Sequence, residues 1–227
     1  VLISGSSGAL GNAVKENLLQ NGKNILEMDY LGNPSVDATN EDSIKKFFEN
    51  YKDKKIESII NCLGISDAVP LISKNILDID FNYFKKIIDV NLNSIFIIVK
   101  ECYRNNKDTL KNIINISSIY SVVSPRLDLY DEKIKNPAYT ASKHGLVGLT
   151  KHLAVILSKD GILVNCIGPG GIKETINDDT FMEKYKKTIP LGSAIKYDDI
   201  IKTIDFLLKM ESITGQNIVI DGGYSCV

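Results

Sequence analysis

The chain has 227 residues, which is enough for one α/β domain with a sizeable buried core. Its 27 basic and 28 acidic residues give a net charge of -1, so it lacks the basic excess that nucleic-acid or anionic-membrane binding needs, and a small-molecule partner is favoured. No apolar run reaches the ~20 residues of a membrane span, and the four widely spaced cysteines have no zinc-binding pattern, as is typical of reduced thiols in a cytoplasmic protein.

Short runs of branched residues alternate with longer amphipathic stretches along the chain, a pattern typical of βαβ units around a covered parallel sheet. The predicted strands are 1–4, 24–28, 57–62, 111–116, 162–167 and 217–220. The predicted helices are 9–20, 41–51, 81–104, 138–157, 181–187 and 198–209. No repeat or linker interrupts the alternation, which therefore predicts a single-domain, doubly wound parallel sheet over residues 1–227 with helices on both faces.

A glycine-rich segment, 5–11 (GSSGALG), follows the first predicted strand and leads into a helix. Glycines at such a turn let the backbone approach a pyrophosphate at a helix N-terminus. We therefore expect this segment to bind the phosphates of a dinucleotide through Gly5, Ser7, Gly8, Ala9 and Leu10. A plain strand-to-helix turn is the alternative.

Asp29 closes the second predicted strand, where its carboxylate can accept hydrogen bonds from an adenosine ribose and would repel a 2′-phosphate. Neither the glycine-rich segment nor residues 30–33 contain an Arg or Lys to neutralise that phosphate. These features favour NAD(H) over NADP(H) as the cofactor. A solvated aspartate at a strand end is the alternative.

Tyr139 and Lys143 lie four residues apart at the start of a strongly helical stretch and therefore project from one helix face. Moving the pKa of a phenol from ~10 to about 7 needs roughly 4 kcal/mol of preferential stabilisation of the phenolate. One cation at ~4 Å supplies about that much at an effective dielectric constant of ~20. The pair therefore predicts a proton-transferring phenol, although this spacing alone is more typical of a surface pair on a helix.

The YxxxK spacing and the glycine-rich segment together resemble the short-chain dehydrogenase/reductase family, over nearly the whole chain. The resemblance implies a Rossmann-type fold and an oxidoreductase that transfers hydride between an alcohol or ketone and a nicotinamide. Segment 112–118 (NIINISS) is similar to the family strand that ends in the catalytic serine, which implies that role for Ser118. Segment 89–91 (DVN) is similar to the helix position whose asparagine supports a water for proton relay, which implies Asn91.

Further segments resemble the family at cofactor-binding positions, namely 37–38 on the adenine side, 61–64 at a strand end and 167–172 on the nicotinamide side. The cofactor contacts that these matches imply are Asp37, Ala38, Asn61, Gly64, Tyr139, Lys143, Pro169, Gly170 and Ile172. The implied mechanism has Ser118 hydrogen-bonded to the substrate oxygen, Tyr139 exchanging its proton and Lys143 lowering the phenol pKa. The chain departs from the family pattern at Ala9, where a glycine is usual.

Irregular segments 121–137 and 168–180 follow carboxyl ends of predicted strands and are candidate substrate walls. The first is longer than in most family members, and such an insertion resembles a subgroup found among surface-polysaccharide and flagellin-modification gene products. Its polar side chains, which favour a polar ligand, are Arg126, Asp128, Tyr130, Asp131 and Lys133. A solvated loop without substrate contact is the alternative.

The leading hypothesis is an NAD(H)-dependent oxidoreductase of a small polar, sugar-derived substrate. A 3-oxoacyl-thioester reductase is the enzymatic alternative, and a non-catalytic nucleotide-sensing scaffold is the alternative from another class. The apolar faces of helices 81–104 and 138–157 resemble the two long helices through which the family forms dimers and tetramers. We therefore expect a homodimer or homotetramer, unless both faces are covered by the chain's own core.

Overall fold

Strands and helices alternate along the chain in a computed structural model, which describes residues 1–66 and 75–227. The strands are β1 (Leu2–Ser4), β2 (Leu26–Met28), β3 (Ser58–Asn61), β4 (Asn112–Ile116), β5 (Leu163–Pro169) and β6 (Asn217–Ile220). The helices are α1 (Ala9–Gln20), α2 (Glu41–Asn50), α3 (Phe81–Ile88), α4 (Ser94–Asn106), α5 (Pro137–Leu157), α6 (Asp179–Lys186) and α7 (Tyr197–Leu207). All six predicted strands are confirmed, with ends that differ by two residues at most.

The six strands form one parallel sheet in the order β2-β1-β3-β4-β5-β6. The chain first steps outward from β1 to β2 and then crosses back to place β3 on the other side of β1. This reversal leaves a crevice at the carboxyl ends of β1 and β3, the place where open α/β sheets bind ligands. The predicted doubly wound fold is therefore confirmed, and its topology fixes where a site can form.

Each face of the sheet carries its own apolar core. Ile59 and Ile113 pack on one face with residues of α2, α4 and α5, whereas Ile60 and Ile114 pack on the other face with α1 and α7. Successive strand side chains point to opposite faces, so a strand buried on both faces is apolar throughout. Of the helices that cover these faces in the described part of the chain, none combines the length and apolar character needed to cross a membrane.

The predicted helix 81–104 is wrong as a single α-helix. A π-helical turn, Asp89–Asn93, separates α3 from α4. Such a turn inserts extra backbone without ending the helix. The helical spacing of apolar residues therefore continues across the turn, and the sequence does not reveal that the turn is there. The turn contains Asn91, which is fully buried.

Candidate active site

A cleft of about 610 Å³ opens at the carboxyl ends of the strands. Gly64 and Ser118, which follow β3 and β4, line one part of it, and the turn after β5 lines another with Gly170. Tyr139 and Lys143 reach the same cleft from α5. The two segments expected to form substrate walls therefore both contribute to one cavity.

The start of α5 places Tyr139 in the first helical turn. Asn136 is the N-cap residue, because its Oδ1 atom accepts a hydrogen bond of 3.0 Å from the backbone N–H of Ala138. Pro137 occupies the first helical position, where its missing N–H costs nothing. These local signals fix the helix start, and the four-residue spacing then puts Lys143 on the face that carries Tyr139.

Lys143 is a buried cation, with only 4% of its surface exposed. Its Nζ atom donates a hydrogen bond of 2.9 Å to the carbonyl oxygen of Ile116 and lies 5.7 Å from the centroid of the Tyr139 ring. Burial lowers the pKa of Lys143 to about 8. At neutral pH the ammonium therefore stays charged beside the phenol and stabilises its ionised form.

Ser118 follows β4 and is the N-cap residue of a single 3₁₀ turn, Ile119–Ser121. Its Oγ atom accepts a hydrogen bond of 3.1 Å from the backbone N–H of Tyr120. An accepting hydroxyl keeps its own proton for a bond to another group. Ser118 lines the cleft together with Tyr139, so this proton can be donated to an oxygen bound between the two side chains.

The side chain of Asn91 forms hydrogen bonds with the segment that follows β3. Its Oδ1 atom accepts a hydrogen bond of 2.8 Å from the Ile65 N–H, and its Nδ2 atom donates bonds of 2.9 Å to the Ile65 carbonyl and 3.2 Å to Ser142 Oγ. Gly64 lies between this amide and the lysine, because a Cβ atom there would be 3.4 Å from Lys143 Nζ. The side-chain amide is engaged by protein groups, and the water-relay role of Asn91 stays a prediction.

Asn61 belongs to a buried line of polar side chains across the sheet. Its Oδ1 atom accepts a bond of 2.8 Å from Ser4 Oγ, and its Nδ2 atom donates a bond of 2.8 Å to Asn115 Oδ1. Asn115 in turn donates a bond of 2.9 Å to Thr150 Oγ1. Because its side chain is used inside the sheet, a cofactor contact from Asn61 would have to come from the backbone.

The glycine-rich segment is packed too closely for side chains at its two ends. Gly5 has a φ angle of +74°, and a Cβ atom there would lie 2.7 Å from the Leu63 backbone. A Cβ atom at Gly11 would lie 2.0 Å from the Gly5 carbonyl oxygen. The two glycines thus seat the start of α1 directly against the ends of β1 and β3.

The N-terminus of α1 fits an anionic group. Gly8 is the N-cap residue, and among the described residues no side chain caps the helix or adds an acidic group to its first turn. The first N–H groups of a helix have no intrahelical partner and carry the positive end of the helix dipole. This geometry suits the pyrophosphate of a dinucleotide, and Leu10 extends the segment into the cleft.

Asp29 places a carboxylate beside this helix start. Its Oδ2 atom accepts a bond of 3.0 Å from the Ser7 N–H, and its Oδ1 atom accepts one of 2.9 Å from the Leu31 N–H. Asp37 is exposed, and its Oδ1 atom accepts hydrogen bonds of 2.9 Å from the Thr39 N–H and 2.7 Å from the Thr39 hydroxyl. A carboxylate carries about four lone-pair positions, so Asp29 can still accept further bonds.

Of the five polar side chains that were expected to face a substrate, one lines the cleft and four lie elsewhere. Tyr130 lines the cleft as expected. Arg126 and Asp128 instead pair with each other at 2.8 Å, Asp131 pairs with Lys184 of α6, and Lys133 is exposed. These four expectations were wrong because the segment is irregular. In helices and strands the spacing of apolar residues shows which side chains face the core, and an irregular segment has no such spacing.

Several large side chains that line the cleft were not identified from the sequence. Among them, Tyr120 follows β4, Lys135 lies within segment 121–137, and Phe181 and Tyr185 belong to α6. They come from three separate segments, and each by itself resembles an ordinary core or surface residue. Only the tertiary structure brings them to one wall, so no pattern in the sequence could have identified them.

Known proteins resemble this chain over most of its length. A family model described as enoyl-(acyl carrier protein) reductase matches residues 10–225. A 3-oxoacyl-[acyl-carrier-protein] reductase of Rickettsia felis is 30% identical over 251 residues, which cover 98% of this chain and 95% of that protein. A 2-dehydro-3-deoxy-D-gluconate 5-dehydrogenase of Bacillus subtilis is 34% identical over 191 residues, which cover 81% of this chain and 69% of that protein.

A solved structure supports the same assignment. The short chain dehydrogenase of Leptospira borgpetersenii, determined with bound NAD+, superposes with a TM-score of 0.86 at 32% identity and covers 99% of this chain and 91% of that one. Its bound NAD+ supports a nicotinamide cofactor for a chain of this fold. The chain belongs to the short-chain dehydrogenase/reductase family and is an oxidoreductase of that type.

Proposed function

We propose that the protein interconverts an alcohol and a ketone on a small polar, sugar-derived substrate with NAD(H), and that Tyr139 is the general acid and base. The observation that carries the proposal is the buried ammonium of Lys143, 5.7 Å from the Tyr139 ring in a cleft that Ser118 also lines. A cation held there stabilises the phenolate and therefore lowers the pKa of the phenol toward neutral pH.

In this proposal each side chain has one task. A nicotinamide ring bound in the cleft supplies the hydride donor or acceptor. Tyr139 accepts the hydroxyl proton during oxidation and returns it during reduction, while Ser118 donates a hydrogen bond to the substrate oxygen. Lys143 keeps the phenol acidic and contacts the cofactor ribose. Asn91 acts as a positioning residue through Ile65.

We assign the remaining cofactor contacts as the family resemblance implies. The pyrophosphate lies at the start of α1, and the Asp29 carboxylate binds the adenosine ribose and disfavours a 2′-phosphate, so NAD(H) is the preferred cofactor. The contacts are Gly5, Ser7, Gly8, Ala9, Leu10, Asp29, Asp37, Ala38, Asn61, Gly64, Tyr139, Lys143, Pro169, Gly170 and Ile172. A ratio of kcat/KM values that favours NADP+ would refute the cofactor assignment.

We further propose a homodimer or homotetramer formed through α4 and α5, in which residues 1–227 are one unit that includes the substrate site. A groove of about 420 Å³ runs between the two helices and is lined by Leu92, Phe96, Gly145 and Leu149. Phe96 is 48% exposed in the single chain.

We also propose a cytoplasmic location. The cysteines are free and two of them are buried, which agrees with a reducing compartment.

The relatives favour two substrate classes, sugar acids through the Bacillus subtilis protein and 3-oxoacyl thioesters through the Rickettsia felis protein. Purified protein with NADH and a panel of keto sugars, keto sugar acids and acetoacetyl-CoA separates them. We expect NADH oxidation with a keto sugar or keto sugar acid. Oxidation with the thioester alone would select the second class, and no carbonyl-dependent oxidation would favour a non-catalytic scaffold.

A further inference from the structure

Backbone hydrogen bonds hold the turn that follows β5 at two points. The Gly170 N–H donates a bond of 2.7 Å to the Ile220 carbonyl of β6, and the Gly171 carbonyl accepts one of 3.2 Å from the Ile195 N–H. Gly171 lies between Gly170 and Ile172, two of the contacts proposed for the nicotinamide side of the cofactor. A shift of Gly171 would therefore move both of them.

A side chain of α6 binds the other polar group of Gly171. The Tyr185 hydroxyl accepts a hydrogen bond of 2.6 Å from the Gly171 N–H. Both residues line the cleft, and they are 14 positions apart in the sequence. The bond therefore joins α6 directly to the turn that follows β5.

The backbone of the turn fits closely against the Tyr185 ring. A Cβ atom at Gly171 would lie 2.5 Å from Cε1 of that ring, and a Cβ atom at Gly170 would lie 3.1 Å from its hydroxyl oxygen. The first distance is too short for any real contact, and the second is tighter than usual. Glycine at the two positions thus lets the ring reach the backbone.

Aromatic contacts hold the Tyr185 ring in place. The residue is 2% exposed, and its ring stacks on Phe181 with centroids 5.7 Å apart and planes at 12°. The ring of Tyr224 also packs on it, with centroids 5.5 Å apart. Because packing already orders the ring, its hydroxyl can hold the turn without a further loss of side-chain entropy.

Core packing alone does not account for the hydroxyl of Tyr185. A phenylalanine would make the same ring contacts and would bury no polar atom. Burial raises the pKa of Tyr185 to about 12, so the hydroxyl is neutral and brings no charge into the cleft. What the hydroxyl adds is the bond to Gly171, without which that N–H would lose its partner and the turn could shift.

We infer that Tyr185 is a positioning residue for the nicotinamide half of the cofactor. By holding Gly171, its hydroxyl keeps Gly170 and Ile172 where they contact the nicotinamide, and it contributes nothing to binding of the adenosine half. The inference rests on the proposed function, because it takes Gly170 and Ile172 as nicotinamide contacts from there.

NADH and ADP-ribose separate the two halves of the cofactor, since ADP-ribose lacks the nicotinamide ring. Isothermal titration calorimetry gives the Kd of each ligand for the wild type, Tyr185→Phe, Gly171→Ala and Tyr224→Phe. Gly171→Ala changes the same contact from its other side, because the new Cβ atom would displace the Tyr185 ring. Tyr224→Phe is the matched control: it removes a hydroxyl from the neighbouring buried ring, and that hydroxyl has no hydrogen-bond partner among residues 1–66 and 75–227.

The ratio of the Kd for ADP-ribose to the Kd for NADH should fall about 5-fold in Tyr185→Phe, as expected for the loss of one hydrogen bond, while the Kd for ADP-ribose stays within about twofold of the wild type. Gly171→Ala should show the same selective loss, and it decides by the same ratio if Tyr185→Phe does not fold. Tyr224→Phe should keep the wild-type ratio.

Three results would overturn the inference and leave the proposed function standing: an unchanged ratio in Tyr185→Phe, an equal loss of affinity for both ligands, or an equal fall of the ratio in Tyr224→Phe. A wild type that binds NADH no more tightly than ADP-ribose would overturn the inference together with the proposed nicotinamide contacts.

Discussion

Lys143 keeps a charge where its surroundings favour a neutral amine. Burial lowers its pKa to about 8, and its hydrogen bond to Ile116 compensates only part of the lost hydration. An apolar side chain of similar length would fit the position without that cost. The chain thus accepts a loss of stability at the residue that the proposed mechanism needs, which is a common feature of functional sites.

The stability of the protein should therefore depend on pH through Lys143. The unfolded lysine holds its proton up to ~10.4, whereas the native lysine releases it near 8, so the unfolded state binds more protons between pH 7 and 9. The free energy of unfolding should rise over this range by roughly 1.3 kcal/mol relative to Lys143→Met, which lacks the group.

Urea unfolding of the cofactor-free proteins at pH 7 and pH 9 measures this difference. Lys151→Met, which removes an exposed lysine from the same helix, should track the wild type at both pH values. A difference between the wild type and Lys143→Met that does not change with pH would contradict the lowered pKa.

Among the helices and strands, the π-helical turn Asp89–Asn93 is the feature that the sequence did not predict. Apolar residues at helical spacing predicted one helix through the region, and a resemblance singled out Asn91. Neither could reveal the partner of Asn91, because Ile65 is 26 residues away and is reached only through the tertiary fold. The sequence thus predicted helical structure on both sides of the turn, but neither the turn itself nor the contact that links it to the cleft.

Asn91→Ala should reduce both stability and turnover. It removes three hydrogen bonds and leaves both backbone groups of Ile65 without the amide that binds them. Because unsatisfied buried polar groups cost about 1–3 kcal/mol each, we expect the free energy of unfolding to fall by roughly 2 kcal/mol or more. Chemical denaturation with a parallel measurement of kcat checks both effects.

Asn93→Ala is the matched control for this turn. Asn93 is exposed and bonds to Asp89 on the surface, so its loss should change the free energy of unfolding by no more than about 0.5 kcal/mol. Equal losses in the two variants would mean that Asn91 contributes nothing beyond an ordinary helical position.

The location of segment 121–137 was easier to predict from the sequence than the direction of its side chains. Its length and polar composition predicted a substrate wall, and two of its residues, Tyr130 and Lys135, line the cleft. The assignment of individual side chains worked for Tyr130 and failed for Asp131, which pairs with Lys184 of α6. Without a regular period, only the packing of the insertion against α6 decides which side chains reach the cleft.

For the whole molecule, the sheet was predictable because its strands are buried on both faces and therefore apolar throughout, as at Ile113 and Ile114. The cleft followed from the topology, since ligands bind where the strand order reverses. The cleft positions of Tyr120, Phe181 and Tyr185 were not predictable, because these residues come from separate segments that only the tertiary structure brings together.

The proposed assembly through α4 and α5 gives a further test at this scale. Phe96 on α4 is 48% exposed and lines the groove between the two helices. Phe96→Glu would bury a charge in the interface, so we expect sedimentation velocity to show dissociation to smaller species. Leu19→Glu changes an equally exposed residue, 49%, on α1 and should leave the assembly intact.

If Phe96→Glu sediments like the wild type, the α4–α5 face is not the interface. A wild type that is monomeric at micromolar concentration would likewise refute the proposed assembly.

The variant Tyr139→Phe shows whether Tyr139 exchanges the proton during hydride transfer. With a substrate identified from the carbonyl panel, the variant should lose about 10³-fold or more in kcat while its Kd for NADH stays within about twofold of the wild type. Tyr103→Phe, remote from the cleft and bonded to Asp160, should keep near-normal kcat. If Tyr139→Phe retained kcat within about tenfold of the wild type, a group other than Tyr139 would have to exchange the proton.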